Sequence, residues 1–175
     1  MPAPPDTAAF PAAADALDAI GRWRRWLETE KRASAHTVRA YLGDAAAFIG
    51  FLAGHLGRAP SLNDLGALTI ADFRAFLAGR ARAGAGAAAR ARGLSGLRSL
   101  FGFLDRAGIV HNPALATVSS PKLAKPVPKP LTIADAALVL ETAAELSDTD
   151  WIGRRDRALF TLLYGCGLRL AEALS

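Results

Sequence analysis

Apolar residues recur along this chain at steps of three and four, the pattern of helices that bury one face. It is clearest after Ser34, where Val38, Tyr41, Leu42, Ala45, Phe48, Ile49 and Leu52 fall within an arc of about 120° at ~100° per residue. Ser34 is placed to cap this helix, and Gly54 and Gly57 to end it. Its other face carries Gly43, Ala47 and Gly50, small enough for another surface to approach closely. An earlier helix is predicted over 15–32, with Leu17, Ile20, Trp23 and Leu27 on its inner side. Thr69 and Asp72 form a T-x-x-D start signal for a third, running to about Arg82 and burying Ile70, Phe73, Phe76 and Leu77. A fourth is predicted from Ala87 to Arg106. It carries Leu94, Leu97, Leu100, Phe101 and Leu104 on one arc and Arg92, Ser95, Arg98, Ser99 and Arg106 on the other. Four amphipathic helices with short connections predict a compact bundle over 15–111.

The pattern then breaks. Residues 112–130 hold five prolines and three lysines, which predicts an extended basic linker, because proline cannot continue a helix and biases its predecessor to extended geometry. Thr132 and Asp135 open another helix to about Leu146, and a last helical region begins near Asp156 and is interrupted at Gly165-Cys166-Gly167. Its apolar pattern is still running at Ser175, so 131–175 is expected to be the start of a second, truncated domain. Residues 1–14, rich in Pro and Ala, are expected to be disordered. With no internal repeat and no convincing strand, the predicted class is all-α.

Charge changes this picture more than composition does. The net charge is only +5, but 74–129 carries ten Lys or Arg against the single acid Asp105, while 1–73 sums to −1 and 130–175 to −3. A basic, nearly acid-free block suggests a polyanionic partner, against the alternative of a solvated arginine-rich face. The single cysteine, Cys166, excludes an intrachain disulfide and fits a reducing cytosol. The start of the chain lacks a basic and apolar leader, and no stretch of about 18 apolar residues predicts a membrane span. A cytoplasmic location is the expectation.

Candidate chemistry concentrates on that block. Arg92 and Arg98 lie on the polar arc of the fourth helix and are expected to contact phosphates, Arg98 more firmly; Arg90 and Arg92 would read bases if the helix presented its N-terminal end to the major groove. His36 and Thr37, at a helix start, are placed to donate to a phosphate or to serve in ordinary capping. Lys122, Lys125 and Lys129 extend the basic character into the linker. His55 and His111 are isolated without metal-ligand spacing, so no metal is expected. Cys166 is read as a small packed residue, and Trp23, Trp26 and Trp151 as packing groups. Arg169, with Glu172 three residues on, reads by itself as a helix-surface arginine paired with an acid.

Four segments resemble one family. The run from Ser34 to Tyr41, including Arg39, with Asp44, Phe48, Phe51 and Leu52, is similar to the first DNA-contacting helix of Xer-type tyrosine site-specific recombinases, of the phage-integrase family. The run from Ala91 to Leu104 resembles their second such helix. Asn112-Pro113-Ala114, Pro121-Lys122 and the run from Val127 to Thr132 resemble their interdomain linker. The run from Arg155 to Leu174 is similar to the opening of their catalytic domain, and Leu-Tyr-Gly-Cys-Gly-Leu-Arg leans towards the XerC branch rather than XerD. The helix after Ser34 departs from the family in having no basic residue beyond Arg39, with Gly43 and Ala47 where relatives often carry Arg or Lys.

The resemblance implies a SAM-like, four-helix core-binding domain joined to the first helices of a mainly-α catalytic domain, together gripping double-stranded DNA as a clamp. It implies DNA strand breakage and rejoining through a 3′-phosphotyrosine, without cofactor or metal, in the site-specific recombination that resolves chromosome or plasmid dimers at cell division. A second Xer-type subunit is the implied protein partner. Arg169 matches the first catalytic arginine and Glu172 its supporting acid, while Tyr41 and Tyr164 match no nucleophile. The family's other catalytic groups are expected beyond Ser175, so this chain is expected to bind DNA without recombining it. The alternatives are a non-catalytic DNA-binding or architectural helical protein, a helical protein-interaction module, or a phage or mobile-element integrase fragment.

Overall fold

A computed structural model of the chain describes residues 10–123, 130–146 and 148–174. They are helical throughout, with no strand among them, and they divide into two units, Met1–Ala124 and Lys125–Ser175.

The first unit contains α1 (Ala14–Thr29), α2 (Ala35–Leu56), α3 (Leu62–Ala67), α4 (Ile70–Arg82) and α5 (Ala87–Arg106). The start signals act as expected. Ser34 Oγ accepts from the Thr37 N–H at 3.2 Å, and Thr69 and Asp72 form a reciprocal capping box. The αL residue Gly57 ends α2 (φ 67°). The short α3 was not expected. It is nucleated by a second capping box, Ser61 with Asp64, which Arg58 locks with two hydrogen bonds of 2.7 and 2.6 Å. The Arg58 bond first, then those from Ser61, hold the Asp64 carboxyl far below the usual carboxylate range.

Trp23 of α1, Leu42, Phe48, Ile49 and Leu52 of α2, Phe73 of α4 and Leu94, Leu97, Leu100 and Leu104 of α5 are fully buried in one core. Phe48 is its hub, with ring centroids 5.5 Å from Phe73, 5.1 Å from Phe76 and 6.3 Å from Phe101. Within this unit the most extensive helix pair is α2 on α5. The small residues that permit it are on α5, not α2. A Cβ at Gly93 would stand 3.5 Å from Asp44 Oδ1, and one at Gly96 would stand 3.4 Å from Tyr41 Cδ1, whereas Gly43 and Gly50 are exposed with nothing near. Tyr41, placed on the buried arc of α2, is half-buried, its ring stacked at 6.5 Å on Trp23.

The bundle extends beyond both edges of 15–111. Phe10 is buried, and the Ala13 N–H donates to the Pro60 carbonyl at 3.0 Å, so 10–14 belong to the fold; 1–9 lie outside the described residues. At the other end Pro113–Thr117 forms a 3₁₀ helix whose Leu115 enters the core beside Val118. Asn112 fixes this turn, donating through Nδ2 to the carbonyls of Leu65 at 2.9 Å and Leu68 at 3.0 Å and accepting from the Ala114 N–H at 3.0 Å. Pro113 stands at the first position of this turn, where its missing N–H is tolerated, and Leu115 and Val118 have apolar surface to bury.

The second unit is α6 (Ile133–Glu145), α7 (Asp150–Cys166) and the single turn α8 (Leu170–Ala173), with α6 packed on α7. Thr132 and Asp135 form the expected capping box. α7 begins at Asp150 rather than near Asp156, its first turn braced by an Arg154–Asp150 ion pair of 2.6 Å. Gly167 in αL ends it (φ 62°), and Cys166 is exposed rather than packed. Ala136, Ala143 and Gly153 are buried, but Leu131, Ile133, Leu138, Leu146, Trp151, Leu162 and Leu170 are all half exposed or more.

Candidate nucleic-acid interface

The polar arc of α5 faces a groove of about 400 Å³ shared with the end of α1 and the start of α2. Lys31, Arg98 and Arg106 bring three cations to it, Thr37, Ser95 and Ser99 bring hydroxyls, and no acid among the described residues lines it. The cations are organised. Arg106 lies over the Trp26 ring at 4.8 Å from its centroid and Lys31 at 5.7 Å, so one indole seats two positive groups. Trp26 thus packs as expected, while its exposed edge serves the groove; Trp23 is fully buried, with Nε1 donating to Ser99 Oγ at 3.3 Å. Lys31, Ser95, Ser99 and Arg106 were not singled out from sequence as site residues. The signal for the last three was their shared arc with Arg92 and Arg98. Nothing local pointed to Lys31, which the fold brings in from the turn after α1.

The structure sorts the expected site residues into groups. Thr37 and Arg98 meet in the groove. Arg98 also holds the chain beyond the 3₁₀ helix, Nη2 donating to the Val118 carbonyl at 2.6 Å and Nη1 to Ser120 Oγ at 2.9 Å. A guanidinium has five N–H donors, so about three remain for another acceptor. Ser34 is committed to capping, and its hydroxyl lies 3.0 Å from Thr37 Oγ1; His36 is exposed beside them.

Arg92 is engaged differently. Its Nε donates to Asp44 Oδ2 at 3.2 Å and its Nη2 lies 3.5 Å from Asp44 Oδ1, while Arg80 of α4 approaches the same Oδ1 at 3.9 Å. The hydrogen bond and then the charge of Asp44 push the Arg92 pKa above its ordinary value, so this guanidinium stays cationic. Arg90 does not share its face. Two residues apart on a helix means about 200° of rotation, so the two cannot enter one groove together; the Arg90 Nε is buried without a hydrogen-bond partner among the described residues, as is the Arg39 Nε. Lys122 is exposed; Lys125 and Lys129 lie outside the described residues.

In the second unit Arg169 is not on a helix face. It is the N-cap residue of α8, 87% exposed in its side chain, with its backbone N–H donating to Glu172 Oε2 at 2.8 Å and Nη1 to Glu172 Oε1 at 3.1 Å. One carboxylate therefore fixes both the backbone and the guanidinium of Arg169. Trp151 is exposed, with the Arg155 guanidinium 5.3 Å from its ring. His111 bonds Asp105 at 2.7 Å and His55 lies 3.8 Å from Asp72, so neither is isolated, and no group of three potential metal ligands occurs among the described residues. No described helix is long and apolar enough to cross a membrane.

Residues 20–108 match the phage integrase N-terminal SAM-like domain. Among curated proteins the chain is 58% identical over 165 residues to the tyrosine recombinase XerC of Rhodospirillum centenum, covering 94% of this chain and 48% of that protein. It is 45% identical over 165 residues to the tyrosine recombinase XerC of Brucella suis, covering 94% and 52%. It is 48% identical over 153 residues to that of Rhizobium meliloti, covering 87% and 48%. The chain thus spans about half the length of these relatives. No solved structure matches. The helical bundle, the matched domain and these identities together make the chain a XerC-like member of the phage-integrase family of tyrosine recombinases.

Proposed function

We propose that this chain is the duplex-DNA-binding part of a XerC-like recombinase, gripping the phosphate backbone along α5. The observation that carries this reading is the groove, free of acids among the described residues, in which Lys31, Arg98 and Arg106 converge with the Thr37, Ser95 and Ser99 hydroxyls. Phosphate oxygens accept from such groups, and neutralising the backbone releases counterions. Arg92, Lys122, Ser34, His36 and Arg39 are assigned supporting contacts to the same duplex, as are Lys125 and Lys129 on their charge alone, while Arg90, on another face of α5, is assigned none in this groove. In the second unit Arg169 supplies forked donors to the scissile phosphate, and Glu172 holds it in place. Site-specific recombination that resolves chromosome or plasmid dimers, with a second Xer-type subunit in the cytoplasm, is the process this reading assigns to the protein. This chain by itself binds DNA without forming a covalent adduct.

The test is a salt titration on specific and random duplexes followed by fluorescence anisotropy. Arg98→Ala and Arg106→Ala should each weaken binding to both duplexes and flatten the slope of log affinity against log salt by about one unit. Unchanged affinity and slope in both variants would show that the groove is a solvated face. In parallel, a nicked recombination site should give no adduct that survives denaturation; an adduct would contradict the binding-only role.

A further inference from the structure

Asp44 is a buried charge in the middle of an apolar contact. It is 4% exposed and is the one buried polar or charged residue among those described. Removing a carboxylate from water is expensive, and well-packed apolar groups commonly serve stability as well as a buried ion pair. The carboxylate nevertheless sits within the α2–α5 crossing, against Gly93.

Two guanidiniums from different helices converge on it. Arg92 is bound along its Nε–Nη2 edge, and Arg80 approaches from α4. Both keep exposed surface, 54% for the Arg92 side chain and 28% for Arg80. Nη1 of Arg92 has no hydrogen-bond partner among the described residues, so the fork retains donors for a second anion. Without the acid, two adjacent guanidiniums repel and spread over many rotamers.

We propose that Asp44 is a positioning residue that sets Arg80 and Arg92 side by side as one receptor for a phosphodiester group of duplex DNA. This rests on the DNA-binding reading above. It makes a prediction opposite in sign to simple charge counting. Replacing Asp44 by Asn raises the net charge by one and on electrostatics alone would tighten DNA binding. If Asp44 positions the arginines, the same change loosens it.

The experiment measures affinity and salt slope of the full chain on a random 30-base-pair duplex, with a thermal melt on each variant. Asp44→Asn should bind roughly fivefold more weakly than wild type, the size of a typical coupling within one ion-pair network. It should have no further effect in an Arg80→Ala/Arg92→Ala background. Arg92→Lys keeps the charge but loses the fork, and should also bind more weakly. Binding by Asp44→Asn equal to or tighter than wild type overturns the proposal. So does a loss that persists undiminished in the double-alanine background, since Asp44 would then act through the fold. Should Asp44→Asn fail to melt cooperatively, Arg92→Lys decides, and unchanged affinity there overturns the proposal. A wild type that does not bind overturns the DNA-binding reading and the proposal with it; a wild type that binds while these variants behave otherwise overturns the proposal alone.

Discussion

The two units obey the same helical grammar with different results. In the first, every long apolar stripe finds a facing stripe: Phe48 is enclosed by Phe73, Phe76 and Phe101, and α5 buries four leucines completely. In the second, α6 and α7 pack on each other, yet the residues they bury are small, Ala136, Ala143 and Gly153, while Ile133 remains 82% exposed and Leu146 80%. Caps and periodicity suffice to define a helix. A core also requires enough helices to surround it, because apolar stabilisation scales with area removed from water.

The sharpest way to break this comparison is native-state hydrogen exchange. Amides of α2 and α5 should exchange only through global unfolding, and those of α6 and α7 should exchange orders of magnitude faster through local opening. Equal protection of both units would contradict the account. Limited trypsin digestion should agree, removing the second unit first and leaving a fragment that retains Phe10 and Val118, since both are buried in the first.

Side-chain truncation gives the next largest contrast. Phe48→Ala should cost the first unit about 3–5 kcal/mol in denaturant unfolding, whereas Leu162→Ala, at a half-exposed position, should stay within about 0.5 kcal/mol. A similar loss at both positions would mean that the second unit has a core of its own.

The smallest effect is electrostatic. Asp64 has its pKa lowered by Arg58 and Ser61, so the folded state binds its proton less readily than the unfolded state. Its contribution to stability is therefore fully present above the unfolded carboxyl value, about pH 4, and is lost as pH falls towards the depressed folded value. Asp64→Asn should be less stable than wild type at pH 7, and the gap should close in acid. A pH-independent gap would assign the loss to the capping geometry alone.

Most of the fold was legible because its signals are local. The Ser34, Thr69 and Thr132 caps and the boundaries of α4 and α5 depend on residues three or four apart. α3 left a legible sign, Ser61 three before Asp64, but its run holds only Leu62 and Leu65 and is too short to show a period. The extent of the first unit is not legible, because the Pro-rich composition of 112–130 says how the chain bends and nothing of where Leu115 and Val118 settle.

The sequence by itself determined that the chain is helical, that its positive charge gathers on one block, that α5 has an apolar and a basic side, and that its motifs resemble those of a recombinase family. Only the tertiary structure decided what the individual charges do. Arg92 and Arg98 both fall on the polar arc of the helical wheel, yet Arg92 is held by a buried acid 48 positions away and Arg98 by a carbonyl 20 positions away. Lys31 joins Arg106 only because both reach the same indole. Helix formation is settled by neighbours a few bonds away. The partner of a long cationic side chain is settled by which helices cross beside it, and that follows from how the whole set of apolar stripes packs.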